Sequence, residues 1–209
     1  MVALRQFTVR TFMVVTLLLS ATGCATHRIE SAADEPAVPP PAGPAHTALL
    51  PFSNESNTVD APEIVRKFLF QEAARRGWAV QPLDETDRRL REQLQITDGG
   101  QLPGAEAADL GKALEVGTLV FGDVQEWKKI TTGIYNTVII KVAVKLVDAQ
   151  SGAVRWERTQ EVKRDVKIDA REPGASILAG IVVNLFLNPM TPYARQLAHE
   201  LGPQLPPPP

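Results

Sequence analysis

Between residues 47 and 203 the hydrophobic positions change period several times, and each change marks an element. Thr47-Ala48-Leu49-Leu50-Pro51-Phe52 is a short apolar run that reads as a buried strand, closed by the polar turn Ser53-Asn54-Glu55-Ser56-Asn57. Ile64, Val65, Phe68, Leu69 and Ala73 then recur on one stripe at helical spacing, which predicts a helix over residues 61–76. Asp60 and Glu63 have the spacing of a capping box, Pro62 suits a first turn, and Gly77 stands where a left-handed C-terminal cap belongs. Residues 78–83 read as the next strand, so the order strand, helix, strand predicts a right-handed parallel crossover.

A second helix begins at Asp84 and carries Leu90 and Leu94, but its charge density makes it a surface element, and Asp98-Gly99-Gly100 breaks it. A third helix over residues 105–114 places Ala107, Leu110 and Leu114 on one face and ends near Gly117. The period then drops to two. Leu119-Val120-Phe121 opens a strand that runs through Val124 to Trp127, and Val138, Ile140, Val142, Val144 and Leu146 alternate with Ile139, Lys141, Ala143 and Lys145 in the next. After the turn Ser151-Gly152, a third strand completes an antiparallel meander with Val154, Trp156 and Val162 inward and Arg155, Glu157, Thr159, Glu161 and Lys163 on a wet face. Thr191-Pro192 starts a last helix with Tyr193, Ala194, Leu197 and Leu201 inward, stopped by Gly202-Pro203. The fold class expected is α/β (α+β): a mixed sheet of about five strands flanked by helices, in the order β-α-β-α-α-β-β-β-α-α.

Residues 174–187 hold Ile177, Leu178, Ile181, Val182, Val183, Leu185, Phe186 and Leu187 without a charge, and stop at Asn188-Pro189. As a helix this stretch would span about 21 Å, short of the roughly 30 Å of a bilayer's hydrocarbon core. Three uses remain open: packing across the sheet, a homodimer or partner contact through Ile177, Leu178, Ile181, Val182, Leu185 and Phe186, or shallow membrane insertion.

The start of the chain changes the picture most. Arg5 and Arg10 precede an uncharged apolar run over residues 11–19, and Ser20-Ala21-Thr22-Gly23-Cys24 follows, with Cys24 the only cysteine of 209 residues. This reads as a signal peptide with a lipobox-like end, and it resembles a bacterial lipoprotein precursor, which implies a cut between Gly23 and Cys24 and a diacylglyceryl group on the Cys24 thiol. A lone cysteine in an exported chain has no intramolecular disulfide partner. Removing residues 1–23 takes away Arg5 and Arg10 and no acid, leaving 20 basic against 24 acidic residues, so no basic surplus points to nucleic acid. Membrane affinity then rests on the covalent lipid, at about 0.8 kcal/mol per buried methylene. Ala25 stands where an Asp retains proteobacterial lipoproteins in the inner membrane, which favours the outer one. Residues 24–46 are rich in Pro, Ala and Glu, including Pro36, Pro39-Pro40-Pro41 and Pro44, and read as an extended tether that lifts a single domain of residues 47–203 off the bilayer. Residues 204–209 form a second proline-rich tail.

Catalytic chemistry is sparse. His27, His46 and His199 are scattered, so no shared metal site is expected, and Ser53, Ser56 and Ser151 lack a nucleophile elbow. The acid pairs Asp84 with Asp87 and Glu161 with Asp165 sit in helix-start and solvent-face contexts, where carboxylates are ordinary. Gly99-Gly100 and Gly111 fit no phosphate-binding spacing. Trp78, Trp127 and Trp156 lie in predicted strands and read as core. No cofactor beyond the lipid on Cys24 is expected.

Leu49-Leu50-Pro51-Phe52 with Asn54 and Ser56, Leu110-Gly111 through Val116-Gly117, Val120-Phe121-Gly122, and Lys145-Leu146-Val147-Asp148 with Ser151-Gly152 and Trp156-Glu157 together resemble the outer-membrane lipoproteins of the GNA1162 type, the domain-of-unknown-function 799 group. The resemblance covers about residues 49–189 and implies a fold like the amino-terminal domain of TolB and the periplasmic part of the CsgG curli secretion channel. It implies a CsgG-like outer-membrane lipoprotein as partner, a role in envelope export or assembly with a periplasm-facing domain, and no catalytic residues. A lipoprotein activator of a peptidoglycan synthase is a second reading, weakened by a tether that reaches at most roughly 70 Å when fully extended; an envelope hydrolase is a third.

Overall fold

The computed structural model describes residues 46–132, 135–167 and 190–209. Its centre is the meander that the two-residue period predicts. β3 (Thr118–Thr132), β4 (Tyr135–Asp148) and β5 (Val154–Lys167) pair antiparallel in sequence. Two short strands, β1 (Thr47–Leu49) and β2 (Ser53–Asn54), both lie parallel to β3, which makes the sheet five-stranded and mixed, in the order β1-β3-β4-β5 with β2 also on β3. Among the described residues, four helices accompany it: α1 (Ala61–Arg75), α2 (Leu83–Leu94), α3 (Ala107–Leu114) and α4 (Thr191–Leu201). The expected mixed sheet flanked by helices is the observed architecture. None of the helices among the described residues is long and apolar enough to cross a membrane.

Burial divides into two clusters on the two faces of the sheet. Val120, Val124, Trp127, Val138, Ile140, Val142, Val144, Leu146 and Val162 pack with Val65, Phe68, Leu69 and Ala73 of α1 and Ala194, Leu197 and Leu201 of α4. On the opposite face Leu119 and Val147 meet Leu90 of α2 and Leu110 and Leu114 of α3. Trp78 and Trp127 are buried and Trp156 packs against the first cluster, so all three serve the core as expected, although Trp78 does so from outside any strand. The first cluster extends past the last helix: Leu205 packs against it, and Gln204 bonds to Arg158 and Gln160.

Several local expectations are corrected. The segment 78–83 forms a single parallel bridge between Thr47 and Val80, because Pro82, which has no N–H to extend a ladder, precedes the start of α2. The second strand in chain order is instead β2, inside the expected polar turn. Pro51 interrupts β1, and the chain takes four steps from Leu49 to Ser53 where β3 takes three from Val120 to Asp123. Asn54 then closes an Asx turn, accepting from the Ser56 amide at 3.0 Å and donating to the Thr58 carbonyl at 2.9 Å. Asp60 makes no side-chain cap on α1, whereas a capping box does form at Asp98 and Gln101 around a 3-10 turn, Gly99–Gly104. Gly77 adopts φ +81° as expected. Val154 is 54% exposed because a register shift beside Leu146 turns it away from the side on which Trp156 and Val162 pack.

The β4–β5 turn makes the stability of the fold depend on pH. Asp148 accepts from the Ser151 amide at 2.8 Å, from the Ser151 hydroxyl at 2.8 Å, and from Arg155. The Ser151 amide, with the hydroxyl and Arg155 behind it, holds the Asp148 carboxyl below its ordinary range. Its folded value lies below its unfolded one. The stability it contributes is therefore present above the ordinary aspartate range and is lost as pH falls through the folded value. Asp148→Asn should flatten the acid-side decline of thermal midpoint relative to the parent; an unchanged decline overturns this assignment.

Candidate functional site

A cleft of about 310 Å³ opens on the sheet face that α2 and α3 leave uncovered. Its floor is built by the parallel pairing that sets Ser53 beside Asp123, and the Ser53 hydroxyl donates to Asp123 Oδ1 at 2.7 Å. Phe121 stands two residues before Asp123, and Lys145, its partner on β4, lays its ammonium 5.0 Å from the ring centroid. Glu157 of β5 is paired with Lys145 across the next rung. Gly99, Leu102 and Pro103 of the 3-10 turn form the wall.

Two glycines make this geometry. A Cβ on Gly99 would lie 2.2 Å from the Phe52 carbonyl carbon and 2.4 Å from the Ser53 amide nitrogen, so the turn presses directly on the backbone that leads into β2. A Cβ on Gly122 would lie 2.4 Å from the Phe52 ring. Phe52 thus fills the space over Gly122 from one side while Gly99 holds its main chain from another.

A second recess of about 530 Å³ is lined by Pro51, Phe52, Val59, Arg66, Asp87 and Gly99 among others. Here Arg66 is 7% exposed in its side chain and Asp87 37%. The guanidinium donates to the Leu49 carbonyl from Nε at 3.2 Å and Nη2 at 2.7 Å, and to Asp87 Oδ2 from Nη1 at 2.9 Å, while Nη2 lies 2.7 Å from Asp87 Oδ1 as an ion-pair contact. This fork ties α1, α2 and the end of β1 into one joint.

Of the residues singled out for chemistry, Ser53 and Gly99 line the first cleft and Gly99, Gly100 and Asp87 the second recess, and the others described fall elsewhere. Asp87 is the ion-pair partner of Arg66, Glu161 is exposed on β5, and Asp165 accepts from the Thr137 hydroxyl at 2.7 Å. Ser56 and Ser151 belong to turns. His46 is exposed beside β1, and His199 Nδ1 lies 3.7 Å from Glu72 Oε2 at the α1–α4 contact. Among the described residues no three His, Cys, Asp or Glu side chains converge to hold a metal. Gly23, Cys24 and the apolar set Ile177, Leu178, Ile181, Val182, Leu185 and Phe186 lie outside the described residues, as does His27. The Ser53–Asp123 pair and the Lys145–Phe121 contact were not read from the sequence, because both depend on register between distant strands. Arg66 had a local signal: with Leu69 and Ala73 it falls at helical spacing on the apolar stripe.

No family model matches the chain, and no curated protein matches it. Among solved structures, lipoprotein GNA1162 from Neisseria meningitidis matches with a TM-score of 0.54 at 17% identity, over 70% of this chain and 100% of that one. A PelC dodecamer from Paraburkholderia phytofirmans gives 0.48 at 19% identity over 78% and 95%, and the C-terminal domain of LpoB from Escherichia coli gives 0.42 at 13% over 59% and 87%. At such identities the likeness is one of fold. The mixed five-stranded sheet is similar in fold to that GNA1162 lipoprotein, as the resemblance of the sequence implies.

Proposed function

We propose that this chain is a non-enzymatic lipoprotein of the bacterial outer membrane, anchored through acyl chains on Cys24 and acting as an accessory component of an envelope export or assembly system. The observation that carries the reading is the conjunction of a lipobox-like site at the only cysteine, a proline-rich spacer behind it, and a domain whose fold is that of a solved lipoprotein. Ser53, Ser151 and Asp87 are bonded into the sheet, a turn and a helix joint respectively. On this reading the domain faces the periplasm, and its work is to meet other macromolecules, a CsgG-like lipoprotein first among them. The apolar stretch around Ile177, Leu178, Ile181, Val182, Leu185 and Phe186 is the proposed partner contact.

Cys24→Ser is the direct test. The variant should lose acylation, keep its folded domain, and move from the membrane pellet to the soluble fraction; unchanged membrane fractionation overturns the anchor. The partner half is tested separately. The acylated protein captured from native membranes should bring down a CsgG-like lipoprotein, and Ile181→Glu should abolish that recovery. Recovery undiminished by Ile181→Glu removes the apolar stretch from the contact.

A further inference from the structure

The cleft over Phe121 gathers polar groups that the fold itself does not use. Among the described residues the side chains of Gln125 and Glu157 have no hydrogen-bond or ion-pair partner. Asp123 accepts from Ser53 on one oxygen and keeps the other, and Lys145 rests on the Phe121 ring without an ion pair. Gln125 stands at the register shift between Val124 and Glu126, an irregularity of the kind that re-aims one side chain beside a site. These groups line one space of about 310 Å³, whose remaining wall is apolar at Leu102 and Pro103.

The lining selects a class of ligand by exclusion. An anion meets two carboxylates, Asp123 and Glu157, against the single ammonium of Lys145. A cation has to evict Lys145 from the ring it already occupies, exchanging one cation for another. A purely apolar ligand strips water from charged and amide groups and returns no hydrogen bond. A neutral ring bearing hydroxyls escapes all three penalties, because each hydroxyl both donates and accepts. The volume agrees: it lies at the small end of the roughly 300–1,000 Å³ of ligand pockets, as a single ring requires.

We propose that this cleft binds a neutral polyhydroxylated ring, one sugar unit. Asp123 and Glu157 accept from its hydroxyls, Gln125 and Lys145 donate to them, and its carbon face lies on Leu102 and Pro103. The inference goes beyond the accessory role and stands whether or not Cys24 is acylated. A free sugar and one residue of a glycan chain offer the same chemistry.

The test uses the full chain purified in a detergent without a sugar headgroup, with glucose and N-acetylglucosamine as probes and calorimetry and saturation-transfer NMR as readouts. The neutral sugars should bind saturably in about the millimolar range, as a few hydrogen bonds made in competition with water allow. Glu157→Gln and Lys145→Met, both at exposed positions, should each weaken binding about tenfold by removing a charged partner. Ala143→Leu keeps every polar group, fills the space and should abolish binding. Glu161→Gln, on the same face of β5 but outside the cleft, should change nothing, and circular dichroism checks that each variant is folded. Glucuronate should bind more weakly than glucose, and glucosamine no more tightly. Chitotriose separates the sources: tighter binding than N-acetylglucosamine marks a glycan chain, equal affinity a free sugar, and either supports the site. No saturable binding of any neutral probe, binding that survives Ala143→Leu, binding unmoved by both Glu157→Gln and Lys145→Met, or a charged sugar that outbinds the neutral ones overturns the proposal. Membrane fractionation of Cys24→Ser reads the anchor separately, so neither failure is mistaken for the other.

Discussion

Asp87→Ala should lower folding stability by about 3 kcal/mol, and should cost more than Arg66→Met, although Asp87 is the more exposed of the two. The order follows from what each substitution leaves behind. Without Asp87 the Arg66 guanidinium stays buried with only the Leu49 carbonyl for company, and an uncompensated charge in that position is the expensive outcome. Without Arg66 the Asp87 carboxylate, 37% exposed, turns to water, and the main loss is the pair of donors to the Leu49 carbonyl, about 2 kcal/mol. Met preserves most of the aliphatic stem, so packing changes little. The double variant Asp87→Leu with Arg66→Met should recover part of the loss by removing both charges together. Urea unfolding gives all three values, and an Arg66→Met cost above that of Asp87→Ala would show that the ion pair is not what holds the joint.

That joint also marks where sequence stops being informative. The meander was legible because strict alternation over residues 138–146 reports a half-buried strand whatever its partners are. α1 was legible from its stripe and from Gly77, and α2 from the contrast between Leu90 and the charges around it. What stayed hidden was set by pairing across distance. β2 is two residues long and made of Ser and Asn, which carry no strand signal; only β3 alongside makes it a strand. The far ends of β3 and β4 are polar, as in Lys128-Lys129 and Thr131-Thr132, so their alternation is masked, and the register shift beside Gln125 moves Trp127 onto the same side as Val124. The residues 78–83 look like a strand by composition, yet Pro82 and the start of α2 leave them a single bridge. The cleft was illegible for the same reason: Ser53, Asp123, Lys145 and Glu157 come from four strands, and their meeting is a statement about register alone.

Gly99→Ala should be among the most damaging single-methyl additions in the described domain, about 3 kcal/mol, and no change in its neighbours' side chains should rescue it. The atoms in the way are the Phe52 carbonyl and the Ser53 amide, both main chain, so the 3-10 turn must retreat or β2 must leave β3. Gly122→Ala meets a different obstacle. Its new methyl would strike the Phe52 ring, a side chain that can be replaced by a smaller one. Gly122→Ala alone should cost about 2 kcal/mol, and Phe52→Leu in the same chain should return part of it, whereas Phe52→Leu should return nothing to Gly99→Ala. A double-mutant cycle on each pair separates the two. The same variants bear on the cleft, since lifting β2 breaks the hydrogen bond from Ser53 to Asp123 and moves the wall away from Phe121 and Lys145. If Phe52→Leu rescues both glycine variants equally, the turn is pressing on the ring rather than on the backbone, and β2 is held to β3 by packing instead of by the close approach at Gly99.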